Sequence, residues 1–292
     1  MPPDSSILLT FGLLAFTVLL LWMPVPAIRG NRDWGWGGAL ALASAAGVAG
    51  GILDWRAVVA IVAYATLAWS ARAAGRRWQR GVLLALTGLA ALLFALHRIP
   101  GFANPVIAEA IRFSNDAPPY TLRANFDTAV AGIVLMGVFC ERIRTRGEWL
   151  AMLRRIAPVV LSTLVVVLGL GWALGHVQPD IKWTPYSAWF LASNLLVTCV
   201  TEEAFFRGLL LARMARALQG WRGGVALAVA FSSVLFGLAH LGGGPLLALL
   251  ATIAGVHYGV AYLVSKRIEG AILTHFALNA VHFVAFTYPA LA

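Results

Sequence analysis

Apolar segments of helical length alternate with short polar connections along the whole chain. About 20 apolar residues in a helix are needed to cross the hydrocarbon core of a bilayer. The pattern predicts ten such segments, with approximate bounds 6–28, 36–53, 56–71, 81–97, 126–140, 157–176, 185–213, 223–240, 246–264 and 270–288. An adjacent pair that formed a re-entrant hairpin would leave eight. The pattern therefore predicts an all-α fold, a polytopic transmembrane helical bundle of about eight to ten spans.

The composition agrees with a membrane protein and argues against a soluble one. Hydrophobic residues make up 60% of the 292 residues and charged residues 12%, whereas soluble globular domains carry about 25% charged residues. No segment shows the alternating pattern of outer-membrane barrel strands. We therefore expect a multi-pass integral membrane protein whose main surroundings are the lipid bilayer.

Basic residues concentrate in alternate connections between the apolar segments. If the connection after the third segment is cytoplasmic, 16 of the 22 Lys and Arg residues fall on that side, among them Arg29 and Arg32, and 5 fall on the other. The positive-inside rule predicts such an imbalance. The net charge of +10 is thus a topology signal. Since no nucleic-acid-binding pattern accompanies it, we expect no nucleic-acid partner.

The longest polar stretch lies between the fourth and fifth apolar segments, at residues 98–125. It contains residues that favour turns, namely Pro100, Asn104, Pro105, Pro118 and Pro119. Because prolines end helices and favour loops, we interpret this stretch as an ordered loop or a short surface helix.

A polar interruption divides the seventh apolar segment, at residues 201–208. It places Glu202, Glu203 and Arg207 where a membrane span is expected. Charged residues inside a span cost several kcal/mol, so they usually face the protein interior and have a function. Glu203 and Arg207 are four residues apart and can pair on one helix face. Glu202 lies about 100° around the helix from Glu203, which leaves it for another task.

Histidines accumulate in the same third of the chain. Four of the six lie beyond residue 239: His240 ends the eighth apolar segment, His257 lies in the ninth, and His275 and His282 lie in the tenth. With Asn279, the last two form a stripe spaced i, i+4, i+7 on one helix face. An otherwise apolar region therefore carries two carboxylates, four imidazoles, an arginine and an amide.

These side-chain types suit hydrolysis by an activated water molecule. A carboxylate and an imidazole that share one water can deprotonate it and then protonate a leaving amine. A second imidazole and an amide NH₂ on one helix face offer two donors to a developing oxyanion. There is no Gly-x-Ser-x-Gly motif, and no partner for Cys199 as a nucleophile can be identified. The sequence thus indicates a hydrolytic site inside a membrane.

Three motifs in this region resemble a known family. In chain order they are Glu202-Glu203-x-x-x-Arg207, Phe236-x-x-x-His240 and His275-x-x-x-Asn279. They are similar to the motifs of the CAAX prenyl protease and bacteriocin-processing (CPBP) family of intramembrane proteases, which includes type II CAAX prenyl endopeptidases. The resemblance covers residues 185–288. It implies a CPBP-like catalytic helical core at 181–292, preceded by subfamily-specific transmembrane helices at 1–180.

The resemblance implies a role for each matching residue and a function for the chain. Glu202 and His240 would activate the water, and His275 and Asn279 would hold the oxyanion. The chain would be an intramembrane endopeptidase, with a prokaryotic cytoplasmic membrane as its expected location. Its partner would be a membrane-associated peptide or protein: a lipidated C-terminal motif, a leader peptide and a C-terminal sorting tail are all open as substrates.

The family resemblance leaves the cofactor open. We favour a reaction that requires none, but Glu202, His240 and His275 would be the ligands of a Zn²⁺ ion if one were bound. There is no His-Glu-x-x-His motif. Glu203 and Arg207 are interpreted as supporting residues, because a pair at this spacing satisfies itself.

Two other classes of function stay open at this point. Buried Glu, Arg and His residues also occur in proton relays, so a proton-coupled transporter is one alternative. A non-catalytic membrane scaffold is the other. His275 and Asn279 would then be hydrogen-bonding contacts between helices. No family motif includes His257 or His282, which are interpreted as structural or pore-lining residues.

Overall fold

The computed structural model describes residues 4–23 and 35–292. Within these ranges the predicted all-α bundle is confirmed. The ten helices are α1 Ser5–Leu20, α2 Gly35–Ala49, α3 Trp55–Ala73, α4 Arg77–Ala95, α5 Phe126–Phe139, α6 Arg146–Ala173, α7 at 187–217, α8 Gly224–Ala239, α9 Pro245–Ser265 and α10 Ile268–Ala285.

Four of the described helices are long and apolar enough to cross a membrane, namely α4, α6, α9 and α10. Four more, α1, α2, α5 and α8, are apolar but have 10–17 residues. Together these helices support an integral membrane protein. The end of the first predicted segment, 24–28, and the basic residues Arg29 and Arg32 lie outside the described residues. The predicted orientation across the membrane stays a prediction.

Helix α6 begins eleven residues before the predicted apolar segment at 157–176. A capping box starts it: the Thr145 hydroxyl accepts from the Glu148 N–H, and the Glu148 carboxylate accepts from the Thr145 N–H. Such a box satisfies two backbone donors at a helix start. The first turns of α6 carry arginines. The apolar pattern therefore does not show where this helix begins, because its first residue is determined by the capping box.

The interpretation of 98–125 as a loop or a surface helix is wrong. This stretch forms a two-stranded hairpin, β1 Val106–Ile111 and β2 Tyr120–Arg123. The strands carry β-branched and aromatic residues, which favour extended backbone. The prolines of the stretch all lie outside the two strands, where they do not interrupt the pairing.

The chain divides into two compact units. Unit 1 consists of Met1–Ile107, Arg123–Arg144 and Leu196–Phe205, and unit 2 of Ala108–Leu122, Thr145–Leu195 and Phe206–Ala292. The middle of α7 therefore belongs to unit 1 and its two ends belong to unit 2. The predicted division at residue 180 stays a prediction.

In unit 1, helix α5 lies against the middle of α7. The Thr201 hydroxyl donates to the backbone carbonyl of Thr128 at 2.9 Å. This approach requires Gly132, because a Cβ at that position would lie 2.9 Å from Cα of Thr201 and closer still to its Oγ1. The glycine thus holds the residues next to Glu202 and Glu203 against α5.

Replacing Gly132 with Ala is expected to destabilise the protein by about 1–3 kcal/mol, the usual cost of overpacking a well-packed site. The new methyl group would meet backbone as well as side-chain atoms of Thr201, so a rotamer change cannot relieve the contact. Thermal unfolding in detergent measures the effect. Gly81→Ala is the matched control, since an added Cβ there meets nothing within 4 Å. Equal stability of the two variants would contradict this account.

A cluster of polar side chains in unit 1 joins the end of α4 to the start of α5. His97 Nδ1 lies 2.8 Å from Asp127 Oδ2, and the Asn104 side chain donates to the same oxygen at 2.9 Å. Asn104 Oδ1 also accepts from the Phe126 N–H. The hydrogen bond to Asp127 raises the pKa of His97 above its ordinary value, although partial burial and Arg123 oppose this effect. The cluster therefore favours protonated His97.

The stability of the protein is expected to fall with rising pH in a way that depends on His97. The pKa of His97 is higher in the folded protein than in the unfolded chain. The stabilisation from protonated His97 is therefore complete below the unfolded-state pKa of about 6.5. It is lost as the pH rises through the folded-state pKa. Thermal unfolding of the unaltered protein and of His97→Gln between about pH 5.5 and 8.5 measures the difference. A variant that loses as much stability over this range as the unaltered protein would contradict the role of the cluster.

In unit 2, the backbone beside the end of α10 pairs with the segment before α7. Asp180 N–H donates to Ala285 O, Lys182 N–H to Val284 O and Thr287 N–H to Gln178 O, each at 2.9 Å. Between α8 and α9, Leu241–Gly243 form a 3₁₀ turn and Gly244 has φ +98°. Pro245 then begins α9. The glycine run and this proline thus separate α8 from α9, as glycine and proline commonly do between helices.

Candidate active site

Helix α7, which carries the first motif, is not a regular α-helix. Two π-helical stretches, Asn194–Cys199 and Ala204–Leu211, flank the short α-helical segment Val200–Glu203. π-Helical insertions are rare and occur frequently at functional sites. Side chains of unit 2 bond to carbonyls of the second stretch: Ser232 donates to Phe206 O at 3.0 Å and Arg213 to Gly208 O at 2.9 Å.

The two glutamates of the first motif differ in burial. Glu203 is fully buried, whereas Glu202 is half-buried. Both lie in the α-helical segment that Thr201 anchors to α5. The difference agrees with the predicted separation of their faces. The meeting of Glu202 with the motif histidines stays a prediction.

Arg207 is fully buried among aromatic rings of unit 2. Its Nη2 donates to the carbonyl of Gly255 at 2.7 Å. Its guanidinium carbon lies 4.8 Å from the ring centroid of Phe236 and 5.2 Å from that of Tyr258. Gly255 allows this approach, because a Cβ there would lie 3.2 Å from Nη2. These contacts fix the guanidinium within unit 2, while the supporting role of Arg207 and its pair with Glu203 stay predictions.

Phe236 brings the second and third motifs together. Its ring centroid lies 4.6 Å from that of His240 and 5.7 Å from that of His275, and it meets the His275 ring nearly at a right angle. His275 also stacks on Tyr258 at 4.5 Å with the rings 16° from parallel. His275 is buried and contacts both of these aromatic side chains. Unit 2 thus gathers both predicted catalytic imidazoles around one phenyl ring.

A backbone hydrogen bond selects the tautomer of His240. Its Nδ1 lies 2.8 Å from the carbonyl oxygen of Phe236, one helical turn earlier. A carbonyl only accepts, so Nδ1 carries the hydrogen and Nε2 of the neutral ring carries the lone pair. His240 is half-buried at the end of α8. A neutral His240 therefore has its acceptor nitrogen at Nε2.

Asn279 lies one turn after His275 on α10 and bonds to a residue of α7. Its Nδ2 donates to Oδ1 of Asn194 at 3.2 Å. Both amides are half-buried. The bond joins α7 to α10 within unit 2, next to the predicted oxyanion donors.

Two of the histidines outside the motifs, His257 and His282, have other partners. His257 Nδ1 bonds to the carbonyl of Ile253 at 2.9 Å, and its Nε2 lies 3.2 Å from the Ser162 hydroxyl. His282 Nε2 bonds to the carbonyl of Thr287 at 3.1 Å. Each set of contacts joins elements of unit 2, which agrees with the structural interpretation of these residues.

The described residues provide no ready metal site. Within 4–23 and 35–292, no group of three or more His, Cys, Asp or Glu side chains is arranged to hold an ion. The predicted metal site of Glu202, His240 and His275 stays a prediction.

Three further residues at the site belong to none of the three motifs. Tyr258 and Gly255 lie in an apolar run, where a helix core needs such residues in any case. Asn194 is a polar residue inside the seventh apolar segment, and the cost of burying its amide was a usable signal. Their partners lie 17, 48 and 85 residues away, which no local pattern reveals.

Comparison with known proteins identifies a family for part of the chain. Residues 183–281 match the family model described as Type II CAAX prenyl endopeptidase Rce1-like. The matched segment contains all three motifs. Comparison with curated proteins and with solved structures gives no match. The resemblance indicated by the motifs is thereby confirmed, and the match supports a membrane-embedded peptide hydrolase.

Proposed function

We propose that this chain is an intramembrane endopeptidase that cleaves a membrane-associated substrate with an activated water molecule. The premise is the match of residues 183–281 to the endopeptidase family model. The observation that carries the proposal is the contact of both His240 and His275 with the ring of Phe236. Two imidazoles from different helices, inside an apolar unit, are then available to one substrate carbonyl.

The proposal assigns water activation to Glu202 and His240. The lone pair on His240 Nε2 can accept one hydrogen of the water, while the Glu202 carboxylate takes the other as a proton. The water oxygen bonds to the carbonyl carbon of the scissile peptide. The carbon–nitrogen bond then breaks, and the proton held by Glu202 passes to the leaving amine.

The oxyanion is assigned to His275 and Asn279. An N–H group of each, spaced one turn apart on α10, would donate to the carbonyl oxygen as its negative charge develops. The aromatic contacts of His275 and the bond of Asn279 to Asn194 support this role, because donors that are held in place need not reorganise during the reaction. A metal is not part of the proposed reaction, and Zn²⁺ on Glu202, His240 and His275 is the alternative that metal analysis of the purified protein tests.

The substrate is proposed by chemical class. Because the site would lie among membrane-spanning helices, its substrate is expected to be a peptide segment that is held at the membrane. A lipidated C-terminal motif, a leader peptide and a C-terminal sorting tail each present such a segment. We place the enzyme in a prokaryotic cytoplasmic membrane as part of the same proposal.

The proposal is tested with purified protein in proteoliposomes. Synthetic peptides of the three substrate classes are added, and mass spectrometry identifies any cleaved bond. We expect one class to be cleaved at a single site by the unaltered protein and not by His240→Ala. Cleavage of none of the classes, or equal cleavage by the variant, would contradict the proposal. Proton-coupled solute flux without cleavage would favour a transporter instead.

A further inference from the structure

A pair of amides joins helices α7 and α10 beside the proposed oxyanion site. Asn194 Oδ1 accepts from Asn279 Nδ2 at 3.2 Å, across 85 residues of sequence. None of the three family motifs includes Asn194. Asn279 is the last residue of the third motif and lies one turn from His275. The partner of a proposed catalytic amide is thus a residue to which no role has been assigned.

An aromatic pair fixes the register in which these two helices meet. Phe190, four residues before Asn194, stacks on Phe283, four residues after Asn279. The ring centroids are 4.0 Å apart and the rings are 15° from parallel. The two contacts form successive rungs of an antiparallel helix pair. A shift of either helix by one turn would break both, so the amide contact is held by a buried neighbour.

The backbone of Asn194 in α7 also agrees with this register of the two helices. It is the first residue of the π-helical stretch Asn194–Cys199, and its N–H still bonds to the Phe190 carbonyl in the preceding α-helical turn. Its backbone therefore belongs to the same turn as the stacked phenylalanine.

We propose that Asn194 is a positioning residue that orients the amide of Asn279 for the oxyanion, an assignment that rests on the proposed function. An asparagine side chain can rotate by 180° and exchange its NH₂ group and its oxygen. The Asn194 oxygen accepts only, so it holds the NH₂ group of Asn279 on its side. One hydrogen is donated to Asn194, and the direction of the second follows from the planar geometry of the amide. That second hydrogen is the one assigned to the oxyanion.

The test compares variants of Asn194 in the proteoliposome assay. Asn194→Leu has a similar volume but no acceptor, and we expect kcat to fall by about 10- to 100-fold, as for a misplaced catalytic group, with KM little changed. Asn194→Asp keeps an acceptor oxygen and is expected to retain most of the rate. Ser193→Ala is the control, because that hydroxyl bonds to the Phe190 carbonyl of its own helix. It is expected to leave kcat unchanged.

A double variant separates positioning from simple support of the fold. If Asn194 acts through Asn279, Asn194→Leu lowers kcat in the unaltered background and not further in Asn279→Leu, since residues that act as a unit are non-additive. Additive losses would overturn the assignment. If Asn194→Leu does not fold, Asn194→Ala takes its place in the same comparison.

Failure of this assignment is distinguishable from failure of the proposed function. Cleavage that requires Glu202 but proceeds at the full rate in folded Asn194→Leu overturns the assignment alone. An unaltered protein that cleaves none of the peptides, or cleaves them equally well as Glu202→Gln, overturns the proposed function and this assignment with it.

Discussion

Replacing Glu202 with Gln is expected to lower the rate of peptide-bond cleavage by about 10²- to 10⁴-fold, the range that general acid–base catalysis contributes. Glutamine has nearly the same shape, but it cannot take a proton from water or return one to the leaving amine. Glu202 is half-buried and lies in the segment that Thr201 anchors to α5, so the substitution should not disturb the packing. The initial rate in proteoliposomes, measured for each variant at equal protein, reports the effect.

The matched control for this prediction is Glu109→Gln. Glu109 is exposed on strand β1 and has no role in the proposed reaction, so this variant is expected to cleave at the unaltered rate. Thermal unfolding of both variants checks that they are folded. A folded Glu202→Gln protein with full activity would show that another group activates the water.

Replacing Arg207 with Met is expected to reduce the free energy of unfolding by about 3 kcal/mol. The Gly255 carbonyl would lose its donor, which costs about 1–3 kcal/mol for a buried group, and the rings of Phe236 and Tyr258 would lose a cation worth about 1–2 kcal/mol. Methionine keeps much of the side-chain length, so the loss reports the polar contacts more than a cavity. Unfolding in detergent, followed by heat or denaturant, measures the change.

Arg216→Met is the control for the same helix. Its guanidinium is exposed and donates to the Ala212 carbonyl one turn earlier, a contact that contributes little at a solvated position. We expect the control to unfold like the unaltered protein. If Arg207→Met is equally stable but inactive, Arg207 takes part in the reaction and is not a supporting residue.

These two substitutions separate the roles of neighbouring charges in one helix. Loss of activity without loss of stability identifies a residue that acts on the reaction, as we propose for Glu202. Loss of stability together with activity identifies one that maintains the aromatic surroundings of His275, as the contacts of Arg207 indicate. The two measurements are therefore informative only when made on the same variants.

Much of the fold could be predicted because apolar segment length is a local property. Helix α8 at Gly224–Ala239 and helix α9 at Pro245–Ser265 lie within a residue of the segments expected at 223–240 and 246–264. Predictions from the apolar pattern were wrong at two places where other interactions determine the structure. The start of α6 depends on the capping box at Thr145, and the hairpin at 106–123 depends on pairing between two short strands.

The candidate residues of the site stand out in the sequence, whereas their arrangement does not. Glu202, His240, His275 and Asn279 stand out because ionisable and polar side chains are expensive in an apolar chain. Their neighbours do not stand out, since a phenylalanine or a tyrosine in a helix core is ordinary. Only the folded chain places Phe236 against two histidines and Tyr258 against one of them.

The amino-acid sequence by itself determined the membrane class, the approximate helices and the residues able to carry hydrolysis, because burial cost and helix length act through composition and spacing. The tertiary structure decided which side chains are neighbours and where α7 departs from α-helical geometry. Those properties arise from contacts between residues far apart in the chain, such as Asn194 with Asn279 and Arg207 with Gly255. Spacing along a single helix contains no information about such partners.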